Sequence, residues 1–174
     1  GSDQGEFYFG QREADITLKV AEEVTKLLKT QDSINVQMTR ISDQQLSLEQ
    51  RVDIASKSNA DLFISIHANA ATTSKAKGTQ VYFQNSLPPD EDSLFLANLE
   101  NQSANKELSA NQNEIEPSKK ADIGAIVEDL QRQFRLHSSY QLAHTLAKNW
   151  KNENAIRQAP FYVIAKNQMP AVLI

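Results

Sequence analysis

Apolar residues recur at helical spacing in the first part of the chain. Charged residues fall between them, so one face is apolar and the other polar. The apolar positions are Ile16, Val20, Val24, Leu27 and Leu28. This spacing predicts an amphipathic helix of about four turns over residues 13–29. A second helix is predicted to follow Ser47, because Ser47 and Gln50 have the spacing of a capping box, and to end near Asn59.

Three short apolar segments predict strands. Residues 35–39 alternate between apolar and polar side chains, and residues 79–83 follow Gly78. Residues 62–66 are nearly continuous apolar, which is typical of a central parallel strand buried on both faces.

The pattern changes after Gln84, where an acidic, proline-bearing loop begins. A helix is predicted over residues 93–108 with Ser93 as a possible cap, and a flexible polar loop over residues 109–120. A long helix is predicted over residues 122–151, with a possible break at residues 137–139. Two short apolar runs, each preceded by a proline, predict strands at residues 161–164 and 171–174.

The alternation of strands and helices predicts the fold class. We expect an α/β fold, a three-layer αβα sandwich with a mostly parallel twisted sheet, formed as one domain over residues 1–174 with a variable insert at about residues 85–120. In such folds ligands bind beyond the carboxyl ends of the strands. No opening strand precedes Glu13 and the last strand stops at Ile174, so we expect this chain to be the middle of a larger domain.

Composition narrows the functional classes. Of 174 residues, 40% are hydrophobic and 23% charged, which is typical of a globular domain rather than a disordered chain. The net charge of −4 argues against a nucleic-acid surface. There is no cysteine, so disulfides, thiol nucleophiles and thiolate metal sites are excluded. No apolar run reaches the ~20 residues of a transmembrane helix, and no signal peptide is visible.

His67 is the histidine most favourably placed for chemistry. It follows the apolar run 62–66, at the expected carboxyl end of a buried strand. The alternative is a structural histidine that hydrogen-bonds a backbone carbonyl. His137 and His144 lie on one face of the long helix but too far apart to bind one ion together, so a solvated helix face is the better interpretation.

Glu13 is the carboxylate most favourably placed for chemistry. It precedes the first helix, where the helix dipole favours a negative charge. The alternative is a zinc ligand brought beside His67, since zinc binds imidazole nitrogen and carboxylate oxygen. One histidine and one glutamate are an incomplete ligand set. No GxSxG, Walker, GxGxxG or HExxH motif occurs.

Several segments together resemble the zinc-dependent N-acetylmuramoyl-L-alanine amidases. They are TR at 39–40, SD at 42–43, LEQRV at 48–52, NADLFISIHANA at 59–70, GTQVYF at 78–83, RQAPFYV at 157–163 and MPAVLI at 169–174. The resemblance covers nearly the whole chain and is weakest over residues 85–120. The ISIHANA segment is its most specific part.

The resemblance implies a zinc site and a reaction. Glu13 and His67 resemble two of the family's zinc ligands, and Asn69 is a candidate substrate-binding residue, although a loop-capping role is also open. The first histidine ligand belongs to a His-Gly-Gly-x-Asp-x-Gly motif whose tail resembles residues 1–5, so it is expected just before Gly1. The catalytic glutamate is expected one position beyond Ile174, so activity of this exact chain is in doubt. The implied reaction is zinc-assisted hydrolysis of the amide between N-acetylmuramic acid and L-alanine of the stem peptide.

The least similar segment suggests regulation. Some relatives carry a helix here that blocks the zinc until an activator protein displaces it, and Glu114 or Glu116 could supply a blocking carboxylate. The alternative is a solvated loop.

Arg40, after the 35–39 segment, is interpreted as structural.

Two other functions stay open at this point. One is a non-catalytic peptidoglycan-binding or scaffold domain of amidase ancestry, and the other is a zinc carboxypeptidase on a related fold. The partners expected from the resemblance are peptidoglycan and an activator, with no nucleic acid and no transmembrane segment. The chain is expected to be a monomer in the periplasm or outside the cell, at the cell wall.

Overall fold

The fold is organised around one four-stranded sheet with helices on both faces. The structure is a computed structural model that describes residues 7–8, 11–68, 78–85, 87–108 and 122–174. The strands are β1 (Phe7–Tyr8), β2 (Gln11–Arg12), β3 (Phe63–Ser65), β4 (Val81–Phe83), β5 (Ile156–Gln158) and β6 (Ala171–Leu173). The helices are α1 (Glu13–Leu28), α2 (Leu48–Lys57), α3 (Glu91–Leu108), α4 (Asp122–Asn149) and α5 (Tyr162–Ala165), with a short 3₁₀ turn at Glu153–Ala155.

The main sheet has the strand order β3-β6-β4-β5. β3 is parallel to β6, with Phe63 opposite Ala171, and β4 is parallel to β5. β4 and β6 are antiparallel, so the mostly parallel sheet that was predicted contains one reversed pair. β1 and β2 form a separate antiparallel pair.

Alternate side chains of the sheet face two different helical layers. On one face Val81, Phe83 and Val172 pack with Ala143 and Ala147 of α4. The opposite face packs with α5, α2 and α3 through a second cluster. The second cluster includes Ala55, Phe63, Tyr82, Ala97, Phe161, Val163, Ile164 and Leu173. This arrangement confirms the predicted three-layer α/β fold.

The predicted helices formed, with boundaries shifted by one or two residues. The capping box of α2 is present: Gln50 N–H donates to Ser47 Oγ at 3.1 Å, and Ser47 N–H donates to Gln50 Oε1 at 2.9 Å. α3 begins two residues earlier than predicted, because Asp90 rather than Ser93 is its cap. α4 runs from Asp122 to Asn149 without the break considered near residues 137–139.

Two predicted strands are wrong. Residues 161–164 belong to helix α5, since a run of four apolar residues does not distinguish a buried helical turn from a strand. Residues 35–39 form no strand, because they have no backbone partner in the described part of the chain. The pattern also missed β5, whose residues are only partly buried. It predicted no strand before Glu13, where the structure has the short antiparallel pair of β1 and β2, separate from the main sheet.

Helix α1 has the predicted apolar face, but the described residues cover it only in part. None of its residues is buried, and Val20, Val24 and Leu27 are exposed. Among the described residues, no helix is long and apolar enough to cross a membrane. The proposed single domain over residues 1–174 with its insert at about 85–120 stays a prediction.

Candidate functional site

His67 lies at the carboxyl edge of the sheet. Its backbone N–H donates to Ile174 O at 2.7 Å, and Ile174 N–H donates to Ser65 O at 2.9 Å, so the parallel pairing of β3 and β6 continues past both strand ends. The imidazole is mostly buried, with 18% of the side chain exposed. The backbone of His67 is therefore fixed by the sheet while its side chain projects at the edge where α/β folds bind ligands.

Glu13, the first residue of α1, lies beside that imidazole. Its Oε1 is 3.4 Å from His67 Nδ1, and its side chain is also 18% exposed. The same oxygen accepts a hydrogen bond from the Ala68 backbone N–H at 3.0 Å. The structure thus brings together the two residues that the sequence singled out as metal ligands.

The surroundings keep Glu13 ionised. Burial acts to raise the pKa of its carboxyl, but the contact with His67 and the Ala68 N–H outweigh burial, and the pKa is lowered from its ordinary value. Glu13 therefore offers a carboxylate at neutral pH.

The spacing of the pair fits two ligands of one zinc ion. At 3.4 Å, the distance between Glu13 Oε1 and His67 Nδ1 is longer than a normal N–H···O hydrogen bond. Two ligands bound tetrahedrally at the usual Zn–N and Zn–O lengths are about 3.4 Å apart. The donor chemistry also suits zinc. The described residues contain no group of three histidine, cysteine, aspartate or glutamate side chains arranged to hold a metal ion.

A second carboxylate, which sequence reasoning missed, approaches the same imidazole. Glu100 of α3 places its Oε2 3.7 Å from His67 Nδ1, and its side chain is 33% exposed. No local motif marks Glu100, because its position depends on how α3 packs.

Arg51 of α2 supplies positive charge near both acids. Burial lowers the pKa of its guanidinium, and the charge of Arg40 lowers it further, while the carboxylates of Glu100 and Glu13 act in the opposite direction. The cation offsets part of the repulsion between two carboxylates that share one imidazole.

Arg40 fixes the first turn of α1. Its guanidinium donates to Ala14 O at 2.6 Å and to Thr17 Oγ1 at 3.2 Å. These contacts support the structural role predicted for Arg40, because they anchor the helix end that carries Glu13.

The remaining candidate residues divide into two groups. Asn69, Glu114 and Glu116, like residues 1–5, lie outside the described residues. His137 and His144 lie on α4, where His137 contacts Gln141 and the His144 ring lies tilted beside Tyr140, with 6.1 Å between ring centroids. Both histidines are exposed, in agreement with the solvated helix face that was preferred for them.

Fold and site define a class: a three-layer α/β protein with an imidazole and a carboxylate paired at the carboxyl edge of its sheet. A profile of one family, described as Amidase_3, N-acetylmuramoyl-L-alanine amidase, matches residues 1–174. The chain therefore belongs to the N-acetylmuramoyl-L-alanine amidase family, which confirms the resemblance found in the sequence.

Curated relatives agree with this family. The uncharacterized protein YqiI of Bacillus subtilis is 31% identical over 99% of this chain and 63% of its own length. The amidase LytC of B. subtilis is 28% identical over 99% of this chain and 26% of its own length. The amidase AmiA of Escherichia coli is 28% identical over 95% of this chain and 57% of its own length. The chain thus spans less than two thirds of these relatives.

Solved structures show the same fold. An N-acetylmuramoyl-L-alanine amidase from Clostridium difficile 630 matches with a TM-score of 0.62 and 23% identity, over 99% of this chain and 72% of that one. The CwlD amidase from Clostridioides difficile, solved in complex with the GerS lipoprotein, matches with a TM-score of 0.51 and 21% identity, over 99% of this chain and 75% of that one.

Proposed function

We propose that this chain is the catalytic region of a peptidoglycan amidase. The reaction is hydrolysis of the amide bond between N-acetylmuramic acid and the L-alanine of the stem peptide. The observation that carries the proposal is the pairing of Glu13 and His67, 3.4 Å apart, at the carboxyl edge of the sheet. Membership of the amidase family supports it.

Glu13 and His67 would hold a zinc ion as part of its ligand set. Bound zinc supplies a Lewis acid that polarises a carbonyl and makes water a nucleophile at neutral pH. Contacts within the chain hold the two metal-donor side chains, Glu13 and His67, in place. The Ala68 N–H orients the Glu13 carboxylate, and the bond from His67 N–H to Ile174 O fixes the backbone that carries the imidazole. Such outer contacts hold ligands in place before the metal arrives.

The proposed setting is the cell wall, in the periplasm or outside the cell, with peptidoglycan as the partner of a monomeric enzyme. Asn69, two residues past His67, is proposed to bind substrate. This setting follows from the proposed substrate, since the enzyme must reach the polymer that it cuts.

Zinc content and dye release from labelled peptidoglycan test the proposal together. Both are measured on the protein at its natural length, because the chain spans less than two thirds of the curated relatives named above. We expect bound zinc and release of dye, with freed lactyl groups on muramic acid. Glu13→Gln and His67→Ala should each lose zinc and reduce release at least a hundredfold.

Two control variants and two contrary outcomes distinguish this proposal from the alternatives. Glu22→Gln on the same helix and His137→Ala on α4 should leave zinc and release unchanged. Zinc without dye release would favour the scaffold domain. Release of a terminal amino acid without lactyl groups would indicate a carboxypeptidase instead.

We also propose that an activator protein displaces an inhibitory segment within residues 85–120. Helix α3 offers such a protein an outer surface, because Leu94, Phe95 and Leu99 are exposed. The related CwlD amidase is found in complex with a lipoprotein. Deleting residues 109–120 in the protein at its natural length should raise dye release without an activator, and unchanged release would count against the proposal.

A further inference from the structure

A small cavity lies at the edge of the main sheet opposite to the edge that carries His67. Because β4 is antiparallel to β6, the residue that follows β4, Gln84, is level with Ala171, the first residue of β6. Both residues line the cavity. His67 is bonded instead to Ile174, past the last residue of β6. At a rise of about 3.3 Å per strand residue, roughly 10 Å separate the two edges, so the cavity is distinct from the site described above.

The cavity has room for an end group rather than for a whole ligand. Its volume is about 120 Å³, whereas pockets for drug-sized molecules have roughly 300–1,000 Å³. It lies between helix α4, helix α5 and the segment that connects α5 to β6. None of the described residues that line it is acidic, and two of them are arginines of α4, Arg132 and Arg135. The cavity is therefore small and positively charged.

The two arginines have no counter-ion in the described part of the chain. They are three residues apart, so their side chains lie on the same face of α4. Neither guanidinium forms an ion pair or a hydrogen bond with a described residue. Asp129, one turn before Arg132, accepts a hydrogen bond from the Gln133 amide at 2.8 Å instead. Two neighbouring guanidinium groups attract an anion, and their planar N–H donors match the oxygens of a carboxylate or a phosphate.

The backbone that carries Arg135 is fixed to the sheet. Ser139, one turn further along α4, is buried, and its Oγ donates to Arg135 O at 2.7 Å and accepts from Ala171 N–H at 2.9 Å. One hydroxyl therefore connects this turn of α4 to the first residue of β6. Arg135 is half-buried, whereas Arg132 is exposed. The charge of Arg135 is consequently less screened by water than that of Arg132.

Asn167 supplies an acceptor that lacks a donor. The residue lines the cavity from the segment between α5 and β6 and is 6% exposed. Its Nδ2 donates to Val163 O, and this contact fixes the orientation of the amide, because a carbonyl oxygen only accepts. The other amide atom, Oδ1, is buried and has no hydrogen-bond partner among the described residues. Since nearly all buried acceptors are satisfied, we expect a ligand of this cavity to offer a hydrogen-bond donor as well as a negative charge.

We propose that the cavity binds the free carboxyl end of a peptide. The carboxylate pairs with Arg135 and Arg132, and the last peptide N–H of the ligand donates to Asn167 Oδ1. A peptide end carries this N–H next to its carboxyl group, whereas a phosphodiester offers negative oxygens and no donor. The two guanidinium groups and the unsatisfied amide oxygen together therefore favour a peptide end over a phosphate.

Stem peptides of peptidoglycan are the source of such ends that the proposed function suggests, and this part of the inference rests on that function. A stem peptide held at this edge keeps the polymer close while another part of the polymer reaches the opposite edge, where the proposed hydrolysis occurs. Such a second contact raises the effective concentration of substrate without taking part in the chemistry. We therefore expect the cavity to lower KM for the polymer and to leave kcat unchanged.

Calorimetric titration of the protein at its natural length tests the ligand. The probes are N-acetyl-D-alanyl-D-alanine, the same peptide with a C-terminal amide, and N-acetyl-D-alanyl-D-lactic acid, in which an ester oxygen replaces the last N–H. We expect the peptide acid to bind and the other two to bind at least about tenfold more weakly, because one lacks the charge and the other lacks the donor. Inorganic phosphate, the fourth probe, should compete at least about tenfold less well than the peptide acid.

Variants on α4 locate the binding. Arg135→Gln should weaken binding of the peptide acid about tenfold or more. Arg135→Lys keeps the charge but not the fork of donors, so it should fall between Arg135→Gln and the parent. Lys148→Gln, the matched control, removes a positive charge from an exposed position of the same helix outside the cavity and should bind as the parent does. His67→Ala, at the opposite edge, should also bind as the parent does. With intact peptidoglycan, Arg135→Gln should raise KM and keep kcat.

Each contrary result is distinct. If the peptide acid and its amide bind equally, or if Arg135→Gln binds like the parent, the cavity is not the site. If the lactic acid ester binds as tightly as the peptide acid, or phosphate competes as well, the cavity takes an anion only and the peptide proposal is wrong. Loss of binding in His67→Ala would place the peptide at the other edge and refute the inference.

Failure of the proposed function can be told apart from failure of this inference. If the parent binds the peptide acid through Arg135 but releases no dye from labelled peptidoglycan, the proposed function fails while the cavity stands as a peptide site. If the parent releases dye and KM is unchanged in Arg135→Gln, stem peptides are excluded as the source.

Discussion

Helices α1 and α3 each bring a carboxylate to His67, but they are held in different ways. α1 has no buried residue, and its first turn is fixed by Arg40 and by the bond from Ala68 N–H to Glu13. α3 buries Ser93 and Ala97 in its first half and is tied to the core by Asn101. Polar contacts at one end thus position the first acid, and packing positions the second.

The largest effect that separates the two helices should come from overpacking. Ala97→Leu places a large side chain where no space exists, so we expect a loss of about 1–3 kcal/mol in the free energy of unfolding. The matched change on α1, Ala21→Leu, should cost less than about 0.5 kcal/mol, because Ala21 is only partly buried. Urea unfolding of both variants measures the difference, and equal losses would contradict the comparison.

Removing the cap of α3 should have a smaller effect. Asp90→Ala should cost about 1 kcal/mol at neutral pH, whereas Asp90→Asn, which still caps, should cost little. The hydrogen bonds from the Ser93 backbone and side chain lower the pKa of Asp90. A lowered folded-state pKa adds stability that is present above the unfolded pKa, about 3.9, and lost as pH falls through the folded value.

Urea unfolding from pH 7 down to pH 2 checks that sign. As the pH falls, the parent should lose more of its free energy of unfolding than Asp90→Asn does. A gap that stays constant would show that the charge of Asp90 contributes nothing.

Loosening α1 at its anchor should have an effect of similar size. Arg40→Gln removes two partly buried hydrogen bonds to the first turn, so we expect a loss of about 1 kcal/mol. Hydrogen exchange should rise in the first turn of α1 and stay unchanged in α3. Arg132→Gln, on an exposed part of α4, is the control. Faster exchange in α3 would mean that the two helices are not held independently.

The smallest effect is expected on the apolar face of α1. Val24→Ser should change the free energy of unfolding of this chain by no more than about 0.5 kcal/mol, because Val24 is exposed. Thermal unfolding of the variant and the parent measures the change. A loss above 1.5 kcal/mol, about that of burying a valine, would show that this face is covered in solution.

Much of the fold could be predicted from local patterns. The period of α1 and the capping box of Ser47 and Gln50 are local signals, and both formed as predicted. The run 161–164 lies in a helix rather than a strand. Four apolar residues are compatible with either structure, and the packing of the surrounding elements decides between them.

The sequence predicted two of the three charged or ionisable side chains that meet at the candidate site. His67 was marked by its place after a buried strand, and Glu13 by its place before the first helix. In the structure Glu13 Oε1 lies 3.4 Å from His67 Nδ1, while the role of both residues as zinc ligands stays a prediction. Glu100 was overlooked because it is one acid among many on a polar stretch.

The order of residues alone indicated helices α1 to α4, strands β3, β4 and β6 and the family of the chain, because spacing, caps and motifs act over a few neighbouring residues. Only the three-dimensional packing settled that β4 runs against β6, that no residue of α1 is buried among the described residues and that Glu100 reaches His67. Those outcomes depend on contacts between residues far apart in the chain, such as Asn101 with Pro160 and Tyr162, and no local pattern encodes such a contact.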